Sequence, residues 1–118
     1  MKTISIYNLI KSTFAVKTED GDLIFKNISK EFTEKNKIIL DFTGINLMTT
    51  AFLNAAIGQL YSDEELYSSA FLNEYLQLKN VPQEDLPLFK LVIERAKEYF
   101  KEKENLNNSI NNSFYGEH

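Results

Sequence analysis

The sequence holds 118 residues with a net charge of −4, 43% hydrophobic residues and no cysteine, which is the size and apolar content of one domain that buries its own core. The negative balance offers no long-range attraction to phosphate backbones or anionic bilayers, so nucleic acid and membrane are not expected as partners. Without cysteine there are no disulfides, thiolate nucleophiles or cysteine-ligated zinc; no apolar run approaches the roughly 20 residues of a spanning helix, and Met1–Tyr7 lacks the long apolar region of a secretory signal, so the expected location is cytoplasmic.

The segment Thr3-Ile4-Ser5-Ile6-Tyr7 alternates polar with β-branched or aromatic residues, the period-2 pattern of a half-buried strand. A second short strand is expected over Thr13–Lys17. Thr18-Glu19-Asp20-Gly21 then collects turn formers and acids. Ile24 or Phe25, Ile28 and Phe32 follow at helical spacing, which predicts a helix from Asp22 to Thr33 with Asp20 as its cap. The run Lys37–Phe42 is short, β-branched and apolar on both faces, the signature of a central strand that needs cover on each side. That requirement points to a layered α/β domain.

Thr43–Asn46 is turn-prone. From Leu47 the chain enters a helical pattern whose apolar stripe is Phe52, Leu53, Ala56, Ile57 and Leu60, with Thr49 or Thr50 as N-cap. Gly58 is expected to allow close packing of this helix on the sheet. Ser62–Phe71 fits either a helical turn or an extended connection. Glu74–Leu78 alternates again and predicts a strand, ended by Lys79–Pro82. A final helix carries Leu86, Phe89, Val92, Ile93, Ala96, Tyr99 and Phe100 at helical spacing, with Pro82 and Pro87 suited to its first turns. The single domain is expected over residues 1–104, and 105–118 reads as a polar, disordered tail.

Few residues offer chemistry. The one histidine, His118, stands in the expected tail, and the paired acids Glu19-Asp20, Asp63-Glu64-Glu65 and Glu84-Asp85 stand where acids oppose a helix dipole. The glycines are isolated, so no phosphate-cradling loop is visible. We therefore expect no catalytic residue, no metal site and no cofactor. Asp41 ends an apolar strand, where a carboxylate accepts backbone N–H bonds from the following loop; it reads as structural. Thr49 and Thr50 stand at a helix start. Capping uses one hydroxyl and leaves the other as a candidate phosphoacceptor, because a phosphate there gains charge-assisted hydrogen bonds.

Taken together, Ile39-Leu40-Asp41-Phe42-Thr43-Gly44-Ile45 and Met48-Thr49-Thr50-Ala51-Phe52-Leu53, with the later Leu76–Val81 and Val92–Ala96, resemble the STAS-like domain of unknown function. That family is related to the anti-sigma-factor antagonists and to the cytoplasmic STAS domains of sulfate transporters. The resemblance spans roughly residues 3–100. It implies a STAS-like mixed β-sheet covered by helices and a role in binding a partner protein. In the antagonists a serine after an aspartate at this helix start is phosphorylated by a partner kinase with a histidine-kinase-like ATP-binding fold. Thr50 takes the place of that serine, Thr49 replaces the aspartate, Ala51 the following serine, and Phe52 a small glycine.

The expectation that follows is a non-enzymatic regulatory module of the partner-switching kind. It docks a histidine-kinase-like ATPase through Thr43, Gly44, Asn46, Thr49, Thr50 and Leu53. A competing expectation is a stand-alone inhibitor from a phage or mobile element that blocks a host defence enzyme with its acidic surface. An edge strand or the aromatic last helix leaves room for a homodimer.

Overall fold

Polar side chains that bond the backbone decide where the first elements stop. The computed structural model describes residues 1–62 and 65–99. Strand β1 covers Lys2–Ser5 and ends two residues before the alternation does, because the Ser5 hydroxyl accepts from the Asn8 N–H and caps helix α1, Ile6–Ile10. Lys11 closes α1 at φ 55, in the left-handed region. The second predicted strand shortens to β2, Phe14–Ala15.

Helix α2 spans Thr18–Thr33 and so begins four residues before the expected start at Asp22. Asp20 is not its cap. The N-cap is Lys17, which contributes no side-chain bond, while Glu19 and Asp20 lie in the first turn and oppose the dipole. Gly21 accounts for the difference. It is not a turn residue but a buried helical one, held where the next helical run comes close: a Cβ at Gly21 would lie 2.5 Å from the Phe52 carbonyl oxygen and 2.7 Å from the Ala55 Cβ.

Strand β3, Ile38–Asp41, sits at the centre of a three-stranded sheet ordered β1-β3-β5. Its neighbour β5 covers Leu76–Lys79. A second, two-stranded ladder joins β2 to β4, Leu47–Met48. The layered α/β architecture is as expected. Within it every described pairing is parallel, so no mixed sheet forms among the described residues. The reason is topological: helices lie between paired strands, and such crossovers return the chain in the same direction.

From β1 to β3 to β5 the chain steps the same way across the sheet. Right-handed crossovers then place their helices on one face. The core lies there, with Ile4, Ile38, Leu40 and Leu76 against Ile24, Ile28, Phe52, Leu53, Ile57 and Leu60. On the opposite face Thr3, Gln77 and Lys79 are exposed and Ile39 is half-buried. β3 is thus central but packed on one side only, and the polar alternation of its two neighbours suits that face to water.

After β4 the helical run is α3 (Thr50–Leu53), a π-helical turn (Asn54–Gly58) and α4 (Gln59–Tyr61). Ser68 caps α5, Ser69–Tyr75, by accepting from the Phe71 N–H. Glu74 and Tyr75 are therefore helical rather than the start of β5. Stacking of Tyr67 on Phe71 and of Phe71 on Tyr75, at centroid separations of 5.7 and 4.3 Å, favours helical spacing there. A short 3₁₀ turn, Gln83–Asp85, leads into helix α6, residues 86–99. Gly58 faces α6 and not the sheet: a Cβ there would be 3.5 Å from Val92 Cγ1. The expected domain end at 104 and the tail 105–118 lie outside the described residues.

The Gly21 contact gives a direct test. Gly21→Ala should destabilise the domain by about 1–3 kcal/mol, read as a lower urea midpoint, because the clash is with backbone that cannot swing away. An unchanged midpoint would show that α2 is not held at this distance.

Candidate functional site

The turn after β3 is built around one carboxylate. Asp41 Oδ1 accepts the Thr43 hydroxyl at 2.7 Å, the Thr43 N–H at 3.0 Å and the Asn80 side-chain amide at 3.0 Å. Asn80 also donates to Thr43 Oγ1 at 2.8 Å, so the end of β5 is tied to the turn. Asn80 holds φ 59, a left-handed conformation that asparagine tolerates. Asp41 thus accepts a backbone N–H from the loop after its strand, the bond expected of a strand-end carboxylate. Asn80 was missed, and its signal was weak: an asparagine just past a strand.

Gly44 has φ 87, where a side chain is strained, and the ring of Tyr7 lies 3.6 Å from the position its Cβ would take. Asn46 N–H bonds the Thr13 carbonyl at 2.8 Å, which brings the turn to the start of β2. The β2–β4 register then sets Phe14 directly beside Leu47, and the two side chains remain 54% and 52% exposed. Neither stood out in the sequence, where Leu47 reads as the first residue of an amphipathic helix. Its place on a two-residue parallel ladder turns it outward instead.

Thr49 is the N-cap of α3 and its hydroxyl is fully engaged. It accepts from the Phe52 N–H at 3.3 Å and donates to the Val16 carbonyl at 3.0 Å. Phosphorylation of Thr49 would remove the bond that its hydroxyl donates to the Val16 carbonyl and so would cost the tie between the start of α3 and β2. Thr50 is half-buried and its hydroxyl has no partner among the described residues. Leu53, expected to meet a partner, is fully buried in the core and is corrected to a packing residue: the first turn puts it on the same side as Phe52. The surface that remains is Gly44, Asn46, Leu47 and Phe14 beside Thr50 and the exposed Ala51. Thr43 is exposed, with its hydroxyl and N–H held on Asp41 and its hydroxyl accepting from Asn80.

No group of three or more histidine, cysteine, aspartate or glutamate side chains is placed to hold a metal among the described residues. Nor is any helix among them long and apolar enough to cross a membrane.

Electrostatics support the turn. Bonds from the Thr43 hydroxyl first, then Asn80, then the Thr43 N–H hold the Asp41 carboxyl below the ordinary aspartate value of 3.8. A carboxyl lowered in the folded state contributes stability that is fully present above its unfolded pKa and lost as the pH falls through the folded one. The urea-midpoint difference between wild type and Asp41→Ala should thus be largest at neutral pH and shrink as the pH falls below 3.8. A pH-independent difference would rule out the charged acceptor role.

The two threonines should separate in the same assay. Thr49→Ala loses a cap and should cost about 0.5–2 kcal/mol, whereas Thr50→Ala should stay within about 0.5 kcal/mol of wild type. Equal losses would contradict the assignment of the cap to Thr49 alone.

A family model described as a STAS-like domain of unknown function (DUF4325) matches residues 20–85, from the first turn of α2 to the 3₁₀ turn before α6. The Asp41 turn, β4 and the capped start of α3 all fall inside the match. No curated protein and no solved structure matches the chain.

Proposed function

The chain belongs to the STAS-like domain family, and from that premise we propose that it is a non-enzymatic regulatory module that binds a protein partner through the start of α3. The partner class that the resemblance to anti-sigma-factor antagonists suggests is an ATPase of the histidine-kinase-like fold. The observation that supports this reading is the pairing of Phe14 with Leu47, both more than half exposed, with Leu47 three residues before Thr50, whose hydroxyl has no partner among the described residues.

Three fixed connections present this surface. The Asp41–Asn80 bonds hold the turn, the Asn46–Thr13 bond holds the approach to β4, and the Thr49–Val16 bond holds the start of α3. A preorganised apolar pair loses little conformational entropy on association, and large apolar side chains at the centre of a contact carry much of its free energy. Thr50 is the residue at which a phosphate would switch the surface: two negative charges at the edge of an apolar pair oppose its burial, while the first turn of the helix favours the phosphate when free.

The experiment is affinity measurement against an ATP-binding regulator encoded beside this chain. Leu47→Asp and Phe14→Asp should each weaken the complex by about 30-fold or more, and Thr50→Arg should abolish it, all three without loss of helical circular dichroism. Incubation with the partner and ATP should place phosphate on Thr50 and none on Thr49, read by mass spectrometry. Affinities that stay at the wild-type value in all three variants would move the interface off this surface.

A further inference from the structure

The helical run from Thr50 to Tyr61 is not uniform, and a cavity lies beside its irregular turn. The Gln59 N–H bonds the Asn54 carbonyl, a step of five residues that widens the turn between Asn54 and Gly58. Such π turns insert one residue into a helix and recur at ligand sites. Here the widened turn faces α6, and a cavity of about 330 Å³ lies between Asn54, Gly58, Gln59 and Ser62 on one side and Arg95 and Tyr99 on the other. That volume is at the small end of the range that holds organic ligands, about 300–1,000 Å³.

The polar groups around it divide into used and unused. The Gln59 side-chain amide donates to the Ala55 carbonyl at 2.8 Å and to Asp22 Oδ1 at 3.1 Å, and the Ser62 hydroxyl donates to the Gln59 carbonyl at 3.1 Å. Asn54 makes no side-chain hydrogen bond and Arg95 no ion pair among the described residues. The lining thus offers a planar guanidinium fork that only donates, and an Asn54 amide whose oxygen faces Gly58, with one positive charge and no carboxylate among the lining side chains. The Tyr99 ring, 60% exposed, supplies a flat apolar wall. Gly58 leaves the floor open, since a Cβ there would only reach ordinary contact, 3.5 Å from Val92 Cγ1 and 3.6 Å from Asn54 Oδ1.

We propose that this cavity binds a small organic monocarboxylate, its carboxylate held by Arg95 and its apolar body against Tyr99. A guanidinium pairs with a carboxylate through two parallel N–H bonds. One positive charge balances one carboxylate, whereas a doubly charged phosphate would stay under-compensated on a chain of net charge −4. The site begins one helical turn beyond Thr50, whose carbonyl accepts the Asn54 N–H, and stands whether or not the Phe14–Leu47 surface binds a protein.

The test is an amide ¹H–¹⁵N titration of the full chain with benzoate, with neutral benzamide and inorganic phosphate as the other arms. Benzoate should saturate, with shifts centred on residues 54–62 and 95–99. Arg95→Gln should weaken it by about tenfold or more. Gly58→Ala should weaken it as well while leaving the thermal midpoint unchanged or higher, because alanine favours a helix and meets no close atom. Benzamide binding as tightly as benzoate, phosphate binding tighter, an Arg95→Gln affinity equal to wild type, or shifts centred elsewhere would each overturn the proposal.

Discussion

The close approach of α2 to the helical run after β4 is the constraint on which the remaining structure hangs. At Gly21 the space where a side chain would begin is taken by the Phe52 carbonyl and Ala55. Helices held at that distance interlock their apolar rows, and Ile24 and Ile28 are fully buried alongside Phe52, Leu53, Ala56 and Ile57. Since both crossovers of the parallel sheet fall on one face, this helix pair is also the layer that covers β3. A wider spacing would open the core and shift the start of α3 together with the residues it carries.

Beyond the core, the C-terminal ends of the strands are tied to one another by side chains. Asp41 accepts from residues two and thirty-nine positions away, Thr43 and Asn80, and so joins the turn after β3 to the end of β5. Thr49 bridges to Val16 across thirty-three positions while it caps its own helix. These polar residues are occupied with structure, and that occupation singles out the groups left over. Thr50, Leu47 and Phe14 belong to the same neighbourhood yet take no part in those bonds. The proposed recognition rests on them because their burial or pairing by a partner would disturb none of the ties beneath.

The helical run itself serves two neighbourhoods. Its capped first turn meets the β2–β4 ladder, and its π turn, further along, opens toward α6. A π turn sacrifices regular i to i+4 bonding, so its presence between two α-helical stretches reflects packing demands on both sides: Ala55, Ala56 and Ile57 face the core while Asn54 and Gln59 look outward. Gly21 and Gly58, both helical, illustrate how differently two glycines behave. One is required by a backbone contact, and the other has room for a methyl group.

Period and capping chemistry let the sequence alone determine much of this protein: the central strand through Ile38–Asp41, the structural carboxylate at its end, the turn at Thr43–Asn46, the capped start of α3 and the amphipathic helix that ends the described residues. Those features are local, set by which side chain stands within four residues of which backbone group. Even the STAS-like family was legible from the order of such pieces. What the sequence left open depends on atoms far apart in the chain. Gly21 reads as a turn until Phe52 is placed against it; Glu74 and Tyr75 read as strand until Tyr75 stacks on Phe71; Leu53 reads both as part of the apolar stripe and as a partner contact until the core closes over it. The outward face of Phe14 and Leu47, the bond from Asn80 to Asp41 and the cavity beside Arg95 are set by register and helix spacing, which only the folded chain decides.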